Sequence, residues 1–426
     1  SMDVEATSPL AELFESAEEL TGVDNERAIA NFRTIIASEE SGDEHDKIKE
    51  QSLVKLGNLF ARLGRAEELA SLLSTSRAFF ATIPKSRTAK IVRDLIDSIA
   101  TIPNSLELQL NLCRECIEWC KAEKRTFLRQ RLQARLAALL RESGRFQDAL
   151  SLITHLVREV KRLDDKQLLV DIHMVEARIH HSLRNLPKAK AALTAARTAS
   201  NSIYIPPLVQ AGIDELAGTF QADERDYRTA FSYFFEAFEV YSQLEHPSAV
   251  KALKHMLMAK IMTGKAGEVH GILSGKHAVR YQGREVDAMR AVARAYQSRD
   301  LKQLNATLEE FGAELRGDAL IQRHLQELHE RLLEENLCRL IEPYARVEVE
   351  HLAALMELPR PRVEAKLSQM ILDKRFEGTL DQGKGHLIIF DVPKDDPAFT
   401  AAIESIKGMG EVVESLFSRS EKLLAQ

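Results

Sequence analysis

The 426-residue sequence is poor in helix-breaking residues and in cysteine. It contains 19 glycines, 12 prolines, one tryptophan and four cysteines. Glycine and proline both fall below their average shares of roughly 7% and 5%, which excludes collagen-like and low-complexity chains and indicates long helices. Four cysteines, three of them close together in the sequence, are too few for a disulfide framework in a chain of this length.

Long apolar runs are also missing. No stretch approaches the ~18 consecutive apolar residues of a membrane-spanning helix. The first ten residues, SMDVEATSPL, lack the basic and apolar regions of a secretion signal. We therefore expect a cytoplasmic and nuclear protein that does not bind membranes.

The charge balance is mildly acidic. Lys and Arg total 58 against 64 Asp and Glu, which gives a net charge of −6. This balance argues against a general nucleic-acid-binding protein, because such domains are usually basic. The 45% share of hydrophobic residues is high enough to exclude a globally disordered chain.

Sequence motifs for catalysis are absent. There is no G-x-S-x-G, H-E-x-x-H or G-x-G-x-x-G motif. Residues 378–385, GTLDQGKG, have the glycine-to-lysine spacing of a phosphate-binding loop, but Gly385 replaces the Ser or Thr that would hold Mg²⁺. Because this segment leads into a strand and not a helix, it predicts a hairpin turn. We expect no enzyme and no cofactor.

Two groups of potential metal ligands fit a structural role better. Cys113, Cys116 and Cys120 are spaced i, i+3 and i+7 on a predicted helix, with no second cysteine pair, so we expect buried small apolar residues. His173 and His180 are two helical turns apart, about 10.5 Å, which is too far for one metal ion. With His181 they are expected to be exposed or to pack between repeats.

A repeat with a period near 40 residues covers most of the chain. Small, polar or basic positions begin similar segments at successive intervals of 40, 40, 40, 41, 41, 39 and 35 residues. Helical spacing of apolar residues between these positions predicts a pair of antiparallel helices per repeat. Stacked pairs form a solenoid, here of degenerate tetratricopeptide-like type over residues 2–335. The repeated positions are Asp24, Gly64, Asn104, Gly144, Asn185, Asp226, Lys265 and Asp300.

A different module follows over residues 336–393. A short alternating strand, two helices separated by a proline turn, and a glycine-containing hairpin predict a winged helix with a small β-sheet. The predicted strands are 346–349, 376–380 and 386–391, and the predicted helices are 350–356 and 361–371.

The last segment, residues 394–426, predicts one long helix with an apolar face. Ile403, Ile406, Val413 and Phe417 share this face. A small module cannot cover the whole face, so we interpret the helix as a partner for a helical bundle. The alternative is that it folds back on its own solenoid.

A basic segment spans positions 121 to 135. It carries six basic residues against one acidic residue, Glu123, and a continuous helix would place several of them on one side. We consider it a possible patch for an acidic partner, with a solvated helix face as the alternative. The candidate residues are Lys121, Lys124, Arg125, Arg129 and Arg135.

The combination of modules resembles the PCI-domain family of scaffold subunits, which occur in the proteasome lid, the signalosome and a translation initiation complex. Specific similarity to the lid members lies in residues 117–130 (IEWCKAEKRTFLRQ), 185–193 (NLPKAKAAL), 229–238 (TAFSYFFEAF) and 366–374 (KLSQMILDK). The resemblance implies a non-catalytic scaffold in ubiquitin-dependent protein degradation. The implied partners are other PCI subunits of the lid, the ATPase ring and the α ring of the core particle. A signalosome scaffold and a PCI-type nucleic-acid-associated factor are the alternatives.

The resemblance also implies two assembly elements. The last strand of the hairpin, Leu387, Ile388, Ile389 and Phe390, is expected to be a sheet edge that pairs with a neighbouring subunit, since an unpaired edge is an aggregation hazard. The terminal helix is expected to enter the helical bundle of the lid.

Overall fold

The computed structural model describes residues 9–22, 24–38, 42–390 and 397–424. These residues form two compact units, one up to Ala252 and one from Leu253. Within the described ranges there are 22 α-helices, one short 3-10 helix and three β-strands. This confirms the predicted helical-repeat array followed by a small mixed module. No helix in the described part has both the length and the apolar character needed to cross a membrane.

The first unit is built from helices alone. Its elements are α1 (Pro9–Leu20), α2 (Asn25–Ala37), α3 (Asp43–Leu63), α4 (Ala66–Thr75), α5 (Arg77–Thr82), α6 (Lys85–Ala100), α7 (Leu106–Ala122), α8 (Thr126–Glu142), α9 (Phe146–Leu163), α10 (Lys166–Ser182), α11 (Leu186–Ser200), α12 (Pro207–Asp223) and α13 (Tyr227–Gln243). Helix α14 (Ser248–Met262) contains the residue at which the second unit begins.

The second unit combines helices with the only strands of the described chain. It continues with α15 (Glu268–Leu273), a 3-10 turn (Ala278–Tyr281), α16 (Arg284–Ser298), α17 (Leu301–Glu310), α18 (Gly312–Arg316) and α19 (Ala319–Ile341). The last elements are β1 (Arg346–Glu348), α20 (Val349–Met356), α21 (Arg360–Leu372), β2 (Gly378–Asp381), β3 (His386–Ile389) and α22 (Pro397–Leu424).

Residues with a left-handed backbone conformation, that is a positive φ, recur every 20 residues and explain the repeat period. Most of them are not glycine, yet from Lys124 onward each lies within two residues of a helix end, in the conformation that closes the last turn. The N–H of Asn185 donates to the carbonyl of His180 at 2.9 Å, closing α10, and its side chain accepts from the N–H of Lys188 at 3.3 Å, capping α11. Two such units, each a helix of 17 or 18 residues with its turn, make one repeat of about 40 residues. The regularly spaced left-handed positions are Asn104, Lys124, Gly144, Asp164 and Arg184.

Apolar stripes on successive helices form the core of the first unit. On α8 the apolar stripe that includes Leu132 and Leu136 is buried. Helices α12 and α13 approach closely at Gly218, where an added Cβ would lie 2.7 Å from the ring of Phe234. Pro206 and Pro207 lie at a break between helices, since α11 ends at Ser200 and α12 begins at Pro207.

The winged-helix module forms as predicted in element order. Its strands make an antiparallel sheet in the order β1-β3-β2, with Leu387 opposite both Val347 and Leu380. Leu387 is fully buried, so β3 anchors the sheet to the module core. The hairpin turn predicted in place of a phosphate-binding loop connects β2 to β3.

Two details at the end of the module differ from expectation or lie outside the described residues. Strand β2 begins at Gly378 and not at Phe376. Asp391, the predicted end of the last strand, and Pro393, the predicted end of the module, lie outside the described ranges. The division of the chain at residues 335 and 393 stays a prediction.

Candidate interaction surfaces

The predicted edge strand is the central strand of the sheet. Strand β3 pairs with β1 through Ile388 opposite Arg346 and with β2 through Ile388 opposite Thr379. The expectation that residues 387–390 form an unpaired edge is therefore wrong. The sequence order of a hairpin suggested that its last strand lies outside, whereas β1, which precedes both helices, adds to that side. The edges of the described sheet are β1 and β2.

Strand β3 still carries apolar groups that solvent reaches. Alternation along the strand turns Leu387 inward and leaves Ile388 exposed, and Phe390, the residue after the strand, is 51% accessible. Ile389 is partly buried. Of the four residues predicted to contact a partner, Ile388 and Phe390 thus lie on an accessible surface, and that surface is a sheet face.

Helix α22 presents a long apolar face to solvent. Its 28 residues span about 42 Å at 1.5 Å per residue. The predicted face residues Ile403, Ile406, Val413 and Phe417 are 40%, 68%, 65% and 66% exposed. The structure adds neighbours that sequence analysis missed although helical spacing identifies them, namely Phe399, Met409, Val412 and Leu416.

The solvent exposure of α22 can be compared with the alternative that this helix folds back on its own solenoid, which would bury its apolar face. Every residue from Ala398 to Ser420 is exposed to solvent. Monomeric proteins rarely leave apolar patches of this extent uncovered, and such patches mark interaction sites. The exposed face fits the interpretation as a partner helix, and its partner stays a proposal.

The basic segment from Lys121 to Arg135 is not one helix. Helix α7 ends at Ala122, Lys124 is left-handed, and α8 begins at Thr126. The predicted single basic face is therefore wrong, because helix periodicity does not continue through the turn. The signal for this break was the repeat itself, since position 124 lies midway between two repeat positions.

Arg125 within this segment is a structural residue. Its side chain is buried, donates from Nη2 to the carbonyl of Phe80 at 2.8 Å, and its guanidinium lies 4.9 Å from the ring centre of Trp119. A buried guanidinium held in this way links the turn between α7 and α8 to α5. It is unavailable to an acidic partner.

The other basic residues of the segment have local acidic neighbours. Lys121 contacts Glu118 at 2.7 Å, Arg135 contacts Asp97 at 3.6 Å, and Arg129 pairs with Glu159. Among the five candidates other than the buried Arg125, Lys124 alone has no ion pair within the part of the chain that the structure describes; Arg131, which was not a candidate, has none there either. The five candidates do not form a common patch.

The basic side chains of α21, the second helix of the winged module, are also paired with acidic side chains. Nζ of Lys366 is 2.9 Å from Glu330 and 2.7 Å from Glu334, both on α19. Arg360 and Arg362 pair with Glu364 and Glu330. Because these cations contact carboxylates, α21 has little charge left for a nucleic-acid backbone.

The cysteine cluster lies in the interior of the first unit. Cys113, Cys116 and Cys120 are all buried on α7, as predicted. Burial raises the pKa of Cys113 and Cys120 to about 11 and that of Cys116 to about 12. The thiols therefore stay protonated at neutral pH and have little nucleophilic character. No three His, Cys, Asp or Glu side chains form a metal-ligand group in the described residues.

The histidines on α10 pack within and between helices. His173 is buried and its Nδ1 is 2.8 Å from Glu176, while Nε2 of His181 is 2.5 Å from Asp223 on α12. Burial lowers the pKa of His180. Packing between repeats, as expected, is confirmed for His181; His173 is buried, and its contact with Glu176 lies within its own helix.

Comparison with known proteins decides the family. A model described as the 26S proteasome regulatory subunit RPN6 N-terminal domain matches residues 10–143, and a PCI domain model matches residues 308–391. The chain is 52% identical over 398 residues to the 26S proteasome non-ATPase regulatory subunit 11 homolog of Arabidopsis thaliana, covering 93% of this chain and 95% of the relative. The chain belongs to the Rpn6 family of 26S proteasome regulatory subunits.

Other Rpn6 family members are similar over comparable lengths. The Dictyostelium discoideum 26S proteasome non-ATPase regulatory subunit 11 is 45% identical, covering 94% of this chain and 96% of the relative. The Saccharomyces cerevisiae 26S proteasome regulatory subunit RPN6 is 42% identical, covering 89% of each. These names do not favour the signalosome or nucleic-acid alternatives. The predicted PCI membership is confirmed, and the matched PCI domain begins within α17.

Proposed function

We propose that the chain is a non-catalytic scaffold subunit of the lid of the proteasome regulatory particle. In this role it connects the lid to the ATPase ring and to the α ring of the core particle, and so supports ubiquitin-dependent protein degradation in the cytoplasm and nucleus. Membership in the Rpn6 family supports the assignment. The observation that carries the scaffold role is the uncovered apolar face of α22.

The energetics of α22 favour assembly with other helices. An isolated helix in water gains little from propensity alone, so most helical stability in proteins comes from packing an apolar face. Full burial of one Ile, Val or Phe side chain contributes about 1.5–3 kcal/mol. Ile406, Val413 and Phe417 together therefore offer several kcal/mol to a partner that covers them. We propose that other lid subunits supply helices that do so.

The winged module offers a second contact. Its exposed sheet face carries Ile388 and Phe390, and its edges β1 and β2 have backbone groups to which another strand can add. We propose that neighbouring PCI subunits bind here. The partner-facing residues are then those of the face and the two edges, with Leu387 and Ile389 supporting them from the interior side.

A non-catalytic role agrees with the side-chain chemistry. The thiols of the cysteine cluster are protonated and buried, and the cations of α21 are paired with carboxylates. The prominent features of the surface are thus apolar faces suited to binding proteins.

Affinity purification tests the proposed function. The tagged chain is isolated from its native cells at moderate salt, and co-purified proteins are identified by mass spectrometry. We expect lid subunits, proteasomal ATPases and core-particle α subunits. Dominant recovery of signalosome subunits or ribonucleoproteins would reject the lid assignment.

A further inference from the structure

Three alternate helices of the first unit form a groove that includes the α8 part of the basic segment, from Phe127 to Arg135. Helices α6, α8 and α10 line a cavity of about 700 Å³ that opens to solvent. Each helix contributes side chains at helical spacing, such as Lys90 and Asp97 on α6 or Gln167 and Asp171 on α10. Arg135 on α8 reaches Asp97 at 3.6 Å and so connects two of the walls.

An exposed aromatic residue lies in this groove. Phe127 on α8 is 66% exposed although it is among the largest apolar side chains. Its neighbours Leu128 and Leu132 are buried below, and Val175 contributes from α10. The groove therefore offers an apolar site for one side chain of a ligand, above the buried side chains of Leu128 and Leu132.

The charged residues around the apolar site have a basic excess. Four basic and two acidic side chains line the groove, namely Lys90, Arg93, Arg131, Arg135, Asp97 and Asp171. Arg135 is neutralised by Asp97. In the described part of the chain, neither Lys90 nor Arg131 contacts a carboxylate within 4.0 Å. Both side chains are exposed and available to a ligand.

The acidic residue on the third helix lies in a restricted environment. Asp171 is solvent accessible, yet burial by the surrounding protein raises its pKa, with Arg131 opposing and Asp165 adding to the effect. Asp171 remains an acidic group of the groove wall, and the four basic side chains outnumber it and Asp97.

We propose that the groove between α6, α8 and α10 binds an extended acidic peptide segment of a partner protein through Lys90 and Arg131, with one apolar side chain of that segment packed on Phe127. Charge complementarity selects an acidic ligand. The row of side chains along three helices suits an extended chain, and the exposed aromatic supplies an anchor.

Fluorescence anisotropy with defined peptides tests this site on the full chain. The probe is a labelled peptide of about twelve residues, with one central phenylalanine flanked by glutamates, at low salt where the screening length is about 10 Å or more. We expect saturable binding that weakens as salt is raised. A peptide with lysine in place of glutamate, and one with serine in place of phenylalanine, should both bind at least about fivefold more weakly.

Variants of the chain locate the binding. Lys90→Glu and Arg131→Glu should each weaken the acidic peptide roughly fivefold, and Phe127→Ser should weaken it about tenfold. Lys161→Glu on α9 makes the same charge change at an exposed position outside the groove, and Tyr204→Ser removes an exposed aromatic elsewhere. Both controls should bind like the unaltered chain.

Several outcomes would overturn the proposal. The first is that the acidic peptide shows no saturable binding up to about 1 mM, a concentration that corresponds to a binding free energy of about 4 kcal/mol. The second is that the lysine peptide binds as tightly as the glutamate peptide. The third is that the groove variants bind the acidic peptide like the two control variants. A single-stranded oligonucleotide that binds with dependence on Arg131 while the peptide does not would assign the groove to nucleic acid instead.

Discussion

Replacement of Gly218 by leucine is expected to loosen the contact between α12 and α13. A Cβ at this position would lie 2.7 Å from Cε1, 2.8 Å from Cδ1 and 3.1 Å from Cζ of Phe234, all below or near the limit of real contacts. The ring is buried, so it cannot swing into solvent. Overpacking of this kind costs typically about 1–3 kcal/mol. The gain from removing a helical glycine, about 0.5–1 kcal/mol, offsets only part of it.

Hydrogen exchange measures this effect locally, which matters in a chain with two compact units. A net loss of about 1.4 kcal/mol corresponds to tenfold faster exchange through local opening. We expect roughly that acceleration in the amides of α12 and α13. Gly212→Ala is the matched control on the same helix, because its Cβ would meet nothing closer than 3.9 Å. Unchanged protection in Gly218→Leu would refute the close approach of ring and backbone.

Three further variants or treatments test other parts of the structure. Cys113, Cys116 and Cys120 should resist iodoacetamide at pH 8 in the folded chain and react after denaturation, as mass spectrometry can show; rapid native labelling would contradict their burial and raised pKa. Burial disfavours the charge of Lys366, but its hydrogen bonds to Glu330 and Glu334 outweigh this and raise its pKa, while the same contact with Lys366 lowers the pKa of Glu330. That stabilisation is complete above the ordinary carboxyl pKa and disappears as pH falls through the lowered one. Lys366→Met should therefore have less winged-module exchange protection than the unaltered chain at neutral pH and should lose less of it on acidification; equal protection at neutral pH with an unchanged acid profile would contradict the coupling. Ile388→Asp should leave the isolated chain folded yet weaken lid incorporation, measured by native gel, and normal incorporation would exclude the sheet face as a contact.

The fold followed largely from the sequence because its signals are local and repeated. Helical periodicity and the 40-residue spacing identified the array, and the left-handed residue Gly144 and the capping residue Asn185 show why those positions recur. The intermediate turn at Lys124 was missed because a basic residue there has no helix-breaking signature. Its left-handed conformation is set by the closing hydrogen bonds around it.

The interaction surfaces were less predictable, since they depend on contacts between distant segments. Strand order places β3 in the centre through pairing with β1, which lies about forty residues earlier and carries no pairing signal of its own. In the sequence Arg125 resembles a surface cation, because its hydrogen bond to Phe80 joins residues that are far apart along the chain. By contrast, the face of α22 was predictable, because helical spacing alone defines it.

Incorporation of α22 variants into the regulatory particle tests the central claim most directly. Tagged chains carrying Val413→Asp with Phe417→Asp are compared with Ser415→Asp with Ser418→Asp, which adds the same charge on the other side of the helix, by native gel and mass spectrometry. We predict that the first pair leaves a folded chain that does not enter the particle, as should deletion of residues 398–426, and that the second pair enters normally. Full incorporation of the Val413 and Phe417 double variant would contradict the account.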